Sequence, residues 1–157
     1  MIPRTLATVL MVTALAGAAL ARPPAVIRDL AGSYRTTLVY EDLAAQGFYM
    51  PGDMVGEWTV TILADGHIGW HYVSDSGARS YDMTSVYVVH DGRLLIGADT
   101  GRYPCSDVYD VTAGVYTWSW QDGSLAFSAV EDRCHERRII LTAKPLVPIE
   151  DDTEPRD

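Results

Sequence analysis

Lysine is almost missing from this 157-residue chain: Lys144 is the only one, and Lys plus Arg reach 12 against 21 Asp plus Glu, for a formal net charge of −9. That balance argues against nucleic acid or an anionic lipid surface as partner, because binding to phosphate depends on Lys and Arg. Cysteine is nearly as scarce. Cys105 and Cys134 have no further Cys or His at metal-ligand spacing, so one disulfide is expected, closing a loop worth about 3–4 kcal/mol in the chain-entropy model. A Gly-x-Ser-x-Gly elbow, a phosphate-cradling glycine loop, a zinc spacing and a calcium loop are all lacking, as is any repeat with a period of about 20 to 50 residues. No catalytic group, metal or cofactor is therefore expected.

Long apolar runs are confined to the start. Met1-Ile2-Pro3-Arg4 precedes an uncharged stretch from Thr5 to Leu20 that closes on Ala19-Leu20-Ala21, ahead of Arg22-Pro23-Pro24. This is the pattern of a secretory leader with a small-residue cleavage site after Ala21. As a membrane span the stretch is short and only weakly apolar, so no stable span is expected after cleavage. No Cys follows the cleavage site, which argues against a lipid anchor. Arg4 would leave with residues 1–21 and no acid would, making the mature chain one unit more negative. A periplasmic or secreted location follows, and the disulfide fits its oxidising chemistry. The remainder reads as one domain over 22–148 and a solvated acidic tail over 149–157, rich in Glu150, Asp151, Asp152 and Glu154.

From Ser33 onward apolar residues alternate in short segments divided by turn residues, the signature of an antiparallel β fold. Strands are expected at 33–40, 56–63, 67–74, 78–84, 85–90, 93–98, 107–112, 113–120, 125–131 and 138–144, with some neighbours merging. Asp65-Gly66, Asp91-Gly92 and Asp122-Gly123 each sit between two such runs, as hairpin turns do. Register follows from keeping apolar side chains on one face. Around Asp65-Gly66 a three-residue turn pairing Leu63 with His67 sets Trp58, Val60 and Ile62 beside Tyr72, Trp70 and Ile68. Around Asp122-Gly123 a two-residue turn pairs Trp120 with Leu125, Trp118 with Phe127 and Tyr116 with Ala129. At Asp91-Gly92 both registers are acceptable. Consecutive hairpins favour an all-β, single up-and-down antiparallel barrel, because closure removes the edges; a β-sandwich is the alternative.

The opening Leu30-Ala31-Gly32-Ser33-Tyr34 and the late Arg137-Arg138 resemble the calycins, the lipocalin-like barrels, and in particular their short secreted bacterial members. In lipocalins a Gly-x-Trp on the first strand closes one end of the barrel, with an Arg from the last strand region over the ring. The resemblance thus implies Tyr34, in the Trp position, covered by Arg137 or Arg138. The lipocalin Thr-Asp-Tyr motif is missing, so the resemblance concerns architecture and carries no ligand.

His67 and His71 stand four apart, which along a strand is about 13 Å, too far to share an ion. Both are expected to face outward. The adjacent acids Glu41-Asp42 and Glu131-Asp132 read as surface, and 132–137 as a polar turn or 3₁₀ segment held by the bridge. Four Trp and nine Tyr against two Phe combine apolar area with polar handles, which suits a cavity wall as well as a small core. On the first reading Trp58, Trp70, Tyr72 and Trp118 line a site for a small apolar or aromatic ligand. The irregular segment 41–55, starting like a helical turn, would then cross the mouth as a lid carrying Phe48, Tyr49 and Met50. The alternatives are a filled barrel serving as a protein-interaction or inhibitor module, its partner unknown, and a barrel enzyme acting on a lipid-like substrate. A cavity of several hundred Å³ separates the first from the second, and a buried His or carboxylate inside it would favour the third.

Overall fold

Alternation, turn chemistry and two unforeseen helices together produce a nearly closed antiparallel barrel. The computed structural model describes residues 25–49, 54–101, 105 and 113–150. In chain order these form α1 (Ala25–Leu30), β1 (Gly32–Leu38), α2 (Tyr40–Ala45), β2 (Gly56–Ile62), β3 (His67–Ser74), β4 (Ser80–His90), β5 (Arg93–Gly101), β6 (Gly114–Gln121), β7 (Ser124–Glu131), α3 (His135–Thr142) and β8 (Val147–Pro148). The strands form one sheet in the order β7-β6-β5-β4-β3-β2-β1-β8. β8 pairs with β1 through Tyr34↔Pro148 and Arg35↔Val147. The seam to β7 is crossed at Leu125 and Leu146, which exchange two backbone hydrogen bonds of 2.8 Å. This architecture is compatible with a calycin-like fold. The leader and the strand expected at 107–112 lie outside the described residues, as does the tail beyond Glu150.

The hairpins follow the register argument. Trp58, Val60 and Ile62 face Tyr72, Trp70 and Ile68, and Leu63 N–H donates to His67 O at 2.9 Å. Trp118 pairs with Phe127 and Trp120 with Leu125. At Asp91-Gly92 the tight turn prevails: His90 pairs with Arg93, and Asp91 and Gly92 take φ of 49° and 69°, the twist that matches the flanking strands. The expected strands 78–84 and 85–90 are one, β4. Its register with β5 shifts because Thr84 faces Thr100 while Val86 faces Gly97, so Ser85 opposes the two residues Ala98 and Asp99. That bulge brings Asp99 to Ser85, whose Oγ donates to its carboxylate at 2.5 Å.

The expected strand 138–144 is instead α3. Cys134 caps the helix, its Sγ accepting from Arg137 N at 3.3 Å, and Arg138 N donates to Cys134 O at 3.1 Å. Ile139, Ile140 and Leu141 are all buried, which the solvated alternation of an antiparallel strand would not achieve. The β propensity of two isoleucines is overridden by the cap and by packing on β7. The remaining core is continuous, with Leu30, Leu38, Leu43, Tyr116, Leu125 and Leu146 showing no exposed surface.

Candidate functional site

The side chains expected to line a ligand cavity are packed among themselves. Trp58, Trp70 and Tyr72 are buried, and Trp58, Tyr72 and Tyr81 form a three-ring cluster with centroids 4.8, 4.9 and 5.9 Å apart. Their polar handles have internal partners as well. Trp58 Nε1 donates to Met54 O at 3.0 Å, Tyr72 OH to Val55 O at 2.7 Å and Trp70 Nε1 to Ser85 Oγ at 2.9 Å. Tyr34 OH and Tyr87 OH do likewise with Leu30 O and Leu63 O, and burial raises both phenols above their usual pKa. Trp118 is partly buried at the edge of the core.

In the segment expected to form a lid, α2 contributes Leu43, fully buried, and Phe48 lies partly buried with its ring 5.3 Å from that of His135. Tyr49 is 68% exposed, and Met50 lies outside the described residues. Lys144 ties this segment down, its Nζ reaching Asp42 Oδ2 at 2.5 Å and Thr37 O at 3.0 Å. The ring of Tyr34 meets Trp120 at 6.2 Å. Arg138 is partly exposed on α3, whereas Arg137 is buried in an ionic cluster.

That cluster escaped the sequence reading. Arg137 Nε and Nη2 donate side-on to both oxygens of Asp132 at 2.8 and 2.9 Å, and its Nη1 donates to Asp99 at 3.0 Å. Side-chain exposure is 3% for Arg137, 0% for Asp132 and 8% for Asp99. Tyr116 OH and Cys134 N also donate to Asp132, while Ser85 donates to Asp99. Burial and the neighbouring carboxylate push the Tyr116 phenol far up. Burial alone would lower the Arg137 pKa, but the two carboxylates outweigh it and the net displacement is upward. Asp132 is thus buried rather than on the surface, a correction whose cause is Arg137 five residues later, brought back by the first turn of α3. Gly114 belongs to the cluster by what it omits, since a Cβ there would collide with the Asp132 carboxylate. The predicted Cys105–Cys134 disulfide is present, with Cα atoms 5.7 Å apart. Asp99 lies close to both sulfurs, but the bridge uses the sulfurs and Arg137 and Ser85 use the carboxylate, so the group offers an ion little.

The outer face of β2, β3 and β4 is different in kind. An open groove of about 260 Å³ crosses it, bordered by Trp70 and Met83 as well as by Gly69 and the polar Thr59, Thr61, His71, Asp82 and Thr84. Two cross-strand rows build it, Thr59↔His71↔Asp82 and Thr61↔Gly69↔Thr84. His71 Nδ1 lies 2.7 Å from Asp82 Oδ1. The carboxylate can only accept, so Nδ1–H donates and Nε2 remains as the acceptor of the neutral ring. The exposed setting of His71 agrees with its expected outward orientation. Nothing in the alternation pattern distinguishes these polar positions from ordinary solvated ones, apart from a glycine in mid-strand.

No protein-family model matches the chain, and no curated protein or solved structure matches it either.

Proposed function

We propose that this protein is an exported barrel whose interior is filled and which works as a binding module through its outer surface. The observation that carries the reading is the internal use of the polar handles: Trp58, Trp70, Tyr72, Tyr34, Tyr87 and Tyr116 each donate to a partner within the fold. A cavity wall that gripped a ligand would keep some of these groups for it. Export is supported by the leader pattern of residues 1–21 and by the disulfide. The enzyme alternative finds little support, because the buried carboxylates, Asp99 and Asp132, are already engaged within the fold by Arg137, Tyr116, Ser85 and Cys134 N.

An apolar ligand in the interior keeps one specific observation in its favour. His135 Nε2 is buried without a hydrogen-bond partner among the described residues, beside the Phe48 ring. Titration with the neutral apolar dye N-phenyl-1-naphthylamine separates the two readings. The filled barrel is expected to give no saturable fluorescence rise while folded. One-to-one saturation that is lost in Phe48→Ser would overturn it and favour the interior site.

A further inference from the structure

The outer groove has a feature that the fold does not require. Ser33, Thr61, Gly69, Thr84 and Thr100 form one row across five strands, a line of hydroxyl residues interrupted once, at Gly69. Glycine in a strand interior normally answers a positive φ or a close backbone approach. Here neither applies. Gly69 has no positive φ, and a Cβ built on it would meet Thr61 Cβ at 3.8 Å, an ordinary contact. The missing side chain therefore does one thing, which is to open the floor of the groove between Thr61 and Thr84.

We infer that this groove is a binding site for a neutral, hydroxyl-rich ligand, a segment of glycan one or two rings long. The inference rests on the outer-surface reading above and names its ligand chemistry. The polar lining groups match an alcohol: the hydroxyls of Thr59 and Thr84 donate and accept, Thr61 Oγ1 does so with the capacity left beside its 3.1 Å hydrogen bond to Ser33 Oγ, Asp82 accepts, and in the neutral ring Nε2 of His71 accepts once Asp82 holds Nδ1–H, while Trp70 and Met83 also border the groove. Neighbouring strands stand about 4.8 Å apart, so Thr61 and Thr84, two strands apart across Gly69, are separated by about 9.6 Å, roughly two pyranose units. The volume of about 260 Å³ is small for a whole drug-sized ligand, but the groove is open and can hold part of a longer polymer. Asp82, 81% exposed at its side chain, and the net charge of −9 disfavour an anionic sugar. Among the described residues Trp70 is the one aromatic bordering the groove and it is only 3% exposed, so it gives no stacking platform and each contact is weak, with Kd of about 1 mM.

The test follows backbone amide shifts of the full mature protein titrated with four neutral probes: maltotetraose, cellotetraose, chitotetraose and mannotetraose. Spermidine and tetragalacturonate serve as cationic and anionic controls. At least one neutral probe is expected to shift the amides of Thr61, Gly69 and His71 saturably. Gly69→Thr should weaken that binding at least about tenfold while its thermal midpoint stays level or rises, since a β-branched residue suits a strand better than glycine. The glycan inference is overturned if none of the four moves these amides, if spermidine alone does, or if Gly69→Thr binds as well as the parent. Saturable shifts at Trp118 and Phe48 instead would overturn the filled-barrel reading itself. Shifts confined to other outward positions would remove the groove and leave the outer-surface reading standing.

Discussion

The two flanks of the barrel interior are held by different physics. On the β1–β3 flank, Tyr34, Trp58 and Tyr72 fill space with rings and satisfy their polar atoms on backbone carbonyls, Leu30 and Met54 being only four residues away. Burial of an aromatic side chain contributes about 1.5–3 kcal/mol there, and loss of one hydroxyl can be made good by water. On the β5–β7 flank the bonds run side chain to side chain, joining Arg137 to Asp99 across 38 residues and Tyr116 to Asp132 across 16. Two buried carboxylates face one guanidinium, so the cluster tolerates the loss of no donor. The difference teaches that apolar area sets most of this core while one charged cluster ties part of it together. That cluster is also where β5, β6 and α3 are pinned together.

Substitution of Arg137 by Met is the strongest way to break that contrast. Shape is roughly kept, but Asp99 and Asp132 lose the one buried cation they share among the described residues, and the expected cost is about 3–5 kcal/mol in urea unfolding. A cost below about 1 kcal/mol would mean that the cluster is solvated in solution and the two flanks are alike. A paired measurement sharpens the comparison. Tyr116→Phe removes a donor from a buried carboxylate and should cost about 1–3 kcal/mol, whereas Tyr72→Phe removes one from the Val55 carbonyl and should cost about 0.5–1.5 kcal/mol. Equal values for the two would erase the distinction.

Legibility divides along the same line. The β1–β3 flank could be read because alternation and the Asp65-Gly66 turn together leave one register that keeps Trp58, Trp70 and Tyr72 on a single face, and the disulfide could be read because two cysteines have only one pairing. The charged flank could not. Asp99 turns inward only through a bulge that depends on Ser85 of another strand, and Asp132 looked like half of a surface acid pair until α3 returned Arg137 to it. The helix itself was hidden because Ile139, Ile140 and Leu141 read as a strand, and a cysteine cap is a weak start signal beside Ser, Thr, Asp or Asn. In the segment after β1, the helical turn was visible in Glu41-Asp42-Leu43, but local pattern did not tell that Leu43 would be buried and Tyr49 exposed. The groove gave no pattern signal beyond Gly69, since polar residues at outward positions are what any solvated sheet face carries.

The smallest predicted effect concerns the counterpart of Arg137 at the surface, the pair between the only lysine and Asp42. Burial raises the Asp42 carboxyl, but the Lys144 hydrogen bond, the Val39 N–H at 2.9 Å and the ammonium charge outweigh it, and the net displacement is downward. A carboxyl depressed in the folded state stabilises the protein above its unfolded value of about 3.9, and that contribution is lost as pH falls through the lowered folded value. Lys144→Gln removes the ammonium and leaves the Val39 contact, so the Asp42 titration should move upward. The unfolding free energy at pH 7 should fall by less than about 1 kcal/mol, because Asp42 and Lys144 keep 18% and 40% of their side-chain surface in water. Side-chain carboxyl NMR of Asp42 in both proteins, with urea midpoints at neutral and acidic pH, reads both quantities. The parent and the variant should differ at neutral pH and converge in acid, where Asp42 is protonated in both. An unmoved titration would show that the α2 segment is held by Leu43 packing alone, and a loss as large as that of Arg137→Met would show that exposure does not weaken an ion pair in this barrel.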